Sequence, residues 1–162
     1  MSSSSIRKHA GTGAASDQPA VPRPSFAERA RTLVYLGRIG SLSTLSRKQP
    51  GFPFGSVMPY GLDEHGRPIF LISTMAMHTH NLRADPRASL LVTQPDASGD
   101  PLGASRVTLM GNVLPIPEPK VEEARRLYSW RVTLTASTGW TLKIFPSTGW
   151  TWWTFITWVA SG

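Results

Sequence analysis

The chain contains no cysteine. That excludes a disulfide scaffold, a cysteine-ligated zinc, an iron–sulfur cluster and a thiol nucleophile together. No apolar run approaches the roughly 20 residues that span a bilayer, so no membrane segment is expected. The N-terminal residues Met1 to Lys8 lack the apolar stretch of a secretory signal, which makes the cytoplasm the default compartment. Neither a G-x-G-x-x-G fingerprint nor a phosphate loop with lysine nor a nucleophile-elbow serine occurs. Acids are scarce, with 10 Asp and Glu against 17 Lys and Arg and a net charge of +7. The bases are scattered singly or in pairs, as at Arg7-Lys8, Arg47-Lys48 and Arg125-Arg126. With no basic stripe and no basic–aromatic alternation, nucleic acid is not the expected partner; a phosphorylated small molecule uses the charge equally well.

With 162 residues, 40% of them hydrophobic, the chain is long enough for one domain around one core. Residues 1–24 are rich in Ser, Ala, Gly and Pro and read as a flexible leader. At Ser25 the texture changes. Ser25-Phe-Ala-Glu28 is a capping box, and behind it Phe26, Ala30, Leu33, Val34 and Gly37 recur on one helical face. Strands are expected at Ile39–Ser46, at Pro53–Leu62 (an edge or bulged strand, given Gly55 and Pro59), and at Ile69–Ser73 after the turn Asp63–Pro68. A helical patch over His78–Ala84, strands at Ala88–Thr93 and Arg106–Leu114, and a helix over Pro117–Trp130 follow. The last has its acids early and Arg125 and Arg126 late, as the helix dipole prefers. Helices flanking several short antiparallel strands predict an α+β domain on a small barrel.

His78-Thr-His80 is the one histidine cluster, and two imidazoles without a nearby carboxylate are thin support for a metal, so none is expected. Ser73-Thr74 followed by His78-Thr79-His80-Asn81 at a helix start offers hydroxyls, imidazoles and free N–H groups to one anion, although ordinary capping explains the same residues.

The stretches Phe52–Tyr60, Asp63–Ser73, His78–Val92 and Arg106–Gly111, taken in order, resemble the pyridoxamine 5'-phosphate oxidase-like family of FMN-binding split β-barrels, and within it the haem-utilisation branch. The likeness covers about residues 25–131, and Asn81-Leu-Arg-Ala-Asp-Pro-Arg-Ala-Ser-Leu-Leu91 is its most specific part. It implies a Greek-key antiparallel split barrel and a homodimer holding two FMN molecules at the subunit interface. By position, Ser56, Val57 and Met58 would run beside the flavin. Ser73 and Thr74 would lie near its phosphate, and His78 and His80 stand where many members carry Lys and Arg. Arg106 stands where the oxidases place a glutamine near the isoalloxazine ring. Imidazoles are only partly charged at pH 7, which implies pH-dependent FMN affinity. The resemblance also implies a flavin-dependent oxidoreductase acting on a small-molecule substrate, with no catalytic residue assignable. The alternatives are a haem-binding or haem-degrading protein of the same fold, and a non-catalytic binding or regulatory module.

Residues 132–162 are of another kind. They hold five of the six Trp, many Thr, no acid, and a near repeat, Ser137-Thr-Gly-Trp-Thr141 and Ser147-Thr-Gly-Trp-Thr151. Two Trp/Thr hairpins would account for this composition. A second reading uses the single Trp codon. Shifted by two bases, Trp140-Thr141, Trp150-Thr151 and Trp153-Thr154 must each encode Asp, Trp152-Trp153 must encode Val, and Trp158-Val159 must encode Gly. The acidic, glycine-containing string that results suits the strands the resemblance leads one to expect there. The segment is therefore read as an out-of-frame tail that leaves the barrel without its final strands.

Overall fold

Ser25 and Glu28 form the expected capping box. The Glu28 backbone N–H donates to the Ser25 hydroxyl oxygen at 3.2 Å, and the Ser25 N–H donates to the Glu28 carboxylate at 2.7 Å. This starts helix α1 (Phe26–Leu36), whose Leu33 and Val34 enter the core. Phe26 does not follow them. It is 86% exposed, with the Arg29 guanidinium over its ring. In this computed structural model the described residues are 22–95, 97, 99–100, 102–133 and 153–160; most of the Ser/Gly-rich leader lies outside them.

Strands β1 (Ile39–Leu45) and β2 (Pro53–Pro59) form a hairpin. The expected strand to Leu62 is interrupted at Tyr60, after which β3 (Gly61–Leu62) resumes in a different pairing. Tyr60 turns its ring into the core and donates its hydroxyl to the Val34 carbonyl at 2.8 Å, which breaks the strand in two. The turn at Asp63–Arg67 leads into β4 (Pro68–Ser73), with Gly66 at φ 75°, a region that favours glycine. Then come α2 (Met77–Ala84), β5 (Arg87–Thr93), β6 (Arg106–Pro115) and α3 (Glu118–Thr133). Helix α3 extends past the expected Trp130, and its last turn carries the buried Arg131 onto the end of α1.

The segment after residue 131, read as an out-of-frame tail, includes one described strand. Trp153–Ala160 forms β7, antiparallel to β4 on one side and β6 on the other. Its Thr, Ile, Val, Phe and Trp are strand-favouring types, and the gap between β4 and β6 offers two open rows of backbone donors and acceptors. The remainder of the Trp/Thr segment, with the repeat, lies outside the described residues. The sheet order is β2-β1-β5-β6-β7-β4-β3. Its two end strands, β2 and β3, are joined through Tyr60 alone, so the sheet curls back on itself as a barrel with a split seam.

Strand β4 is buried on both faces. Phe70 and Ile72 point into the barrel with Leu42, Leu90, Val92 and Val113, while Ile69 and Leu71 pack beneath α3 on Ala124 and Tyr128. Gly61 permits that approach, since a Cβ there would lie 3.0 Å from the Tyr128 Cα.

Candidate functional site

Helix α2 is fastened by buried polar contacts before any ligand is considered. Asn81, fully buried, donates its Nδ2 to the Thr44 hydroxyl at 3.0 Å and accepts the Arg47 N–H at 2.9 Å. Thr79, also buried, donates its hydroxyl to the Ser73 carbonyl at 2.6 Å. These bonds fix the start of α2 against the end of β4 and the β1–β2 hairpin. The cap residue Ala76 supplies no side-chain hydrogen bond to the helix, and while the Thr79 N–H donates to the Ala76 carbonyl at 3.1 Å, the Met77 and His78 N–H groups are left for water or a ligand.

At this corner His78 and Ser56 meet, with Nδ1 3.3 Å from the serine hydroxyl oxygen. His78 is half-buried, and burial pushes its pKa below the usual 6.5. At pH 7 it is therefore a neutral donor–acceptor and not a cation. Ser73 ends β4 at the same corner, and its hydroxyl accepts the Met75 N–H at 3.2 Å. Thr74 follows it in the turn, half-buried. His80 is carried about 200° further round the helix than His78, so the two imidazoles diverge.

The strands separate the remaining expected residues. Met58 faces the core at 6% exposure while Val57 points outward at 75%. The run Ser56-Val57-Met58 thus presents alternate sides and not a single wall. Arg106 pairs across from Thr93 at the far end of β5 and β6, its guanidinium donating to the Leu102 carbonyl at 3.0 Å. Within one chain it stands apart from the His78 corner.

The outward face of β2-β1-β5-β6 was not singled out by sequence. Register aligns Val57, Ser41, Leu91 and Thr108 in one row, and Gly55, Ser43, Ser89 and Met110 in the next. None of these carries a charge, and Met110 is 76% exposed. Towards the α1 end the face hollows into a cleft of about 600 Å³ whose lining includes Ile39, Ser41, Leu91 and Arg38. The signal was legible as period-2 alternation in Arg106–Leu114, which places Thr108 and Met110 opposite the core positions. Among the described residues no group of three or more His, Asp or Glu is placed to hold a metal ion, and no helix is long and apolar enough to cross a membrane.

This architecture, an antiparallel split barrel with flanking helices, defines the class, and comparison with known proteins agrees. The family described as CREG, beta-barrel matches residues 22–153, and the chain belongs to it. It is 35% identical over 106 residues to the non-canonical heme oxygenase HOZ, chloroplastic, of Arabidopsis thaliana, covering 65% of this chain and 32% of that protein. A heme binding protein from Mycobacterium smegmatis superposes with TM-score 0.70 at 33% identity, over 85% of this chain and 52% of that one. A putative pyridoxamine 5'-phosphate oxidase from Listeria innocua shares the fold, with TM-score 0.58 at 16% identity over 83% of this chain and 93% of that one. The chain thus spans about a third of the length of the plant relative and about half of the mycobacterial one.

Proposed function

We propose that the protein is a homodimeric haem-binding split barrel, with the cofactor and the second subunit meeting on the outward face of β2-β1-β5-β6. The observation that carries this reading is that face: its middle rows are uncharged small hydroxyl and apolar side chains, with Arg87 and Arg106 only at the strand ends, beside a cleft of about 600 Å³. The two relatives above 30% identity are both named for heme, which supports the choice of cofactor. The residues present fit the group. Ile39, Val57, Leu91 and Met110 offer apolar contact to a flat macrocycle, and Arg38 at the cleft offers a partner for a propionate. Bound haem would supply redox and oxygen chemistry, while the chain supplies position, desolvation and charge. Covering the face with a second copy is the symmetric solution for a self-complementary uncharged patch. Titration of the full chain with hemin, followed by its Soret band, tests the assignment. A shifted band saturating at a fixed stoichiometry supports it, and Met110→Asp should weaken both haem binding and dimerisation in analytical ultracentrifugation. No Soret shift overturns it.

A second reading, FMN, rests on a different observation, the corner where Ser56, Ser73, Thr74 and His78 surround the open start of α2. Hydroxyls, a neutral imidazole and free N–H groups suit a phosphate, and a flavin there would make the protein an FMN-dependent oxidoreductase. Quenching of flavin fluorescence by wild type, and its loss in the His78→Ala, His80→Ala double variant, would favour this reading. Equal FMN affinities in the two proteins would remove the corner as the phosphate site.

A further inference from the structure

A second cavity lies against the face of α2 that carries Thr79, Leu82 and Arg83. Its volume is about 370 Å³, within the range of small-molecule sites. Ile72 of β4, Leu82 of α2, and Val113, Leu114 and Pro115 of β6 line it, and the backbone of β7 runs between β4 and β6. Among the described residues the lining is apolar but for Thr79, whose hydroxyl is already donated to the Ser73 carbonyl, and Arg83. Arg83, exposed in the last turn of α2, is the one charged residue that lines the cavity among the described residues. The nearest acid along the chain, Asp85, does not neutralise it. Its carboxylate is held by Arg87, with Nη2 and Nε donating at 2.6 and 2.9 Å, and the pairing lowers the Asp85 pKa to about 2. An apolar chamber with a single cation beside it recognises an amphiphile whose one charge is negative.

We propose that this chamber binds an apolar monocarboxylate, hydrocarbon inward and carboxylate on Arg83. It rests on neither cofactor reading, and its residues lie apart from the outward sheet face. The choice over the groove beneath α3, of about 300 Å³, follows from charge. That groove carries Asp63, Glu64 and Glu123 as well as Arg67 and Lys120, so its rim selects no single sign.

The test uses octanoate and the neutral octanol as probes on the full-length protein, observed by NMR of methyl groups and arginine Nε–H. Octanoate should shift the methyl signals of Leu82, Val113 and Leu114 and the Arg83 Nε–H. Arg83→Gln should weaken octanoate about tenfold, the size of a charge-assisted hydrogen bond, while leaving octanol unchanged, and Arg83→Lys should restore part of the loss. Because Arg83 is exposed, these variants should keep the wild-type melting temperature. Equal octanoate affinity in Arg83→Gln, shifts confined to Met110 and Leu91 on the outward face, or no shift at millimolar octanoate would each overturn the proposal.

Discussion

The same four strands, β2-β1-β5-β6, present two faces with opposite fates. On the inner side Leu42, Leu90 and Val92 have no exposure at all. On the outer side, one residue away along each strand, Ser41, Leu91 and Met110 stand open to at least a third of their surface or carry small hydroxyls. Both sides are uncharged through the middle of the sheet, so charge alone does not tell them apart. Size does. The inner face carries branched side chains that interlock at core density, whereas Ser41, Ser43, Gly55 and Ser89 make the outer face shallow enough for something flat to approach. A solvated sheet face ordinarily carries Lys, Glu and Thr, and the uncharged middle rows here, with Arg87 and Arg106 only at the strand ends, support the proposal that this face is covered.

Four substitutions sharpen or break this contrast. Leu90→Ala on the inner face should cost about 2–5 kcal/mol by cavity formation, read as a lower urea midpoint. Asn81→Ala should cost about 1–3 kcal/mol, because the Thr44 hydroxyl and the Arg47 N–H lose their partner at a buried point. Met110→Asp on the outer face should leave monomer stability within about 0.5 kcal/mol while shifting the sedimentation profile from dimer to monomer. If Met110→Asp unfolds the chain as Leu90→Ala does, the two faces do not differ in role. The smallest effect concerns His78. Its folded pKa lies below the 6.5 of the unfolded chain, so the unfolded state takes up the proton first on acidification. Its stability contribution is present in full above about pH 6.5 and is lost as the pH falls towards the folded value. His78→Gln should flatten that slope in melts between pH 7 and 5, and an unchanged slope would show that another group titrates there.

Much of this fold was legible in the sequence because its signals are local. The capping box, the Asp63–Arg67 turn, the β5 and β6 alternation and the dipole-ordered charges of α3 each rest on residues a few positions apart. What was not legible depends on contacts between distant segments. Phe26 fits the helical stripe yet no described residue buries it, and Tyr60 turns inward at the break between β2 and β3, where its hydroxyl meets the distant Val34 carbonyl. Among the site residues, Ser56 and His78 do come together, while Arg106 lies at the other end of the barrel. The resemblance places these around one cofactor, and a single chain does not bring them there. The strand β7 was not placed for another reason: its composition suits strands, but the frame argument set that reading aside, and its place depends on pairing with the distant β4 and β6. The two-base shift that turns Trp-Thr pairs into Asp stands as a proposal about the gene. Sequencing across codon 131 checks it, and an independent read that returns the Trp-coding frame removes it.

Arg131 has a consequence in time. Its guanidinium donates to the carbonyls of Val34, Tyr35 and Gly37 and lies 5.8 Å from the centre of the Tyr60 ring, tying the end of α3 to the end of α1. The contact spans 97 residues of chain. At a synthesis rate of about 5–20 residues per second, that separation is roughly 5–20 s on the ribosome. For that interval α1 has emerged with its Tyr35 and Gly37 carbonyls lacking the Arg131 partner, and the first strands have been made before the strand that joins β4 to β6. The nascent protein thus exposes unpaired strand edges while it waits, and chaperone dependence during synthesis should exceed what the stability of the finished barrel suggests.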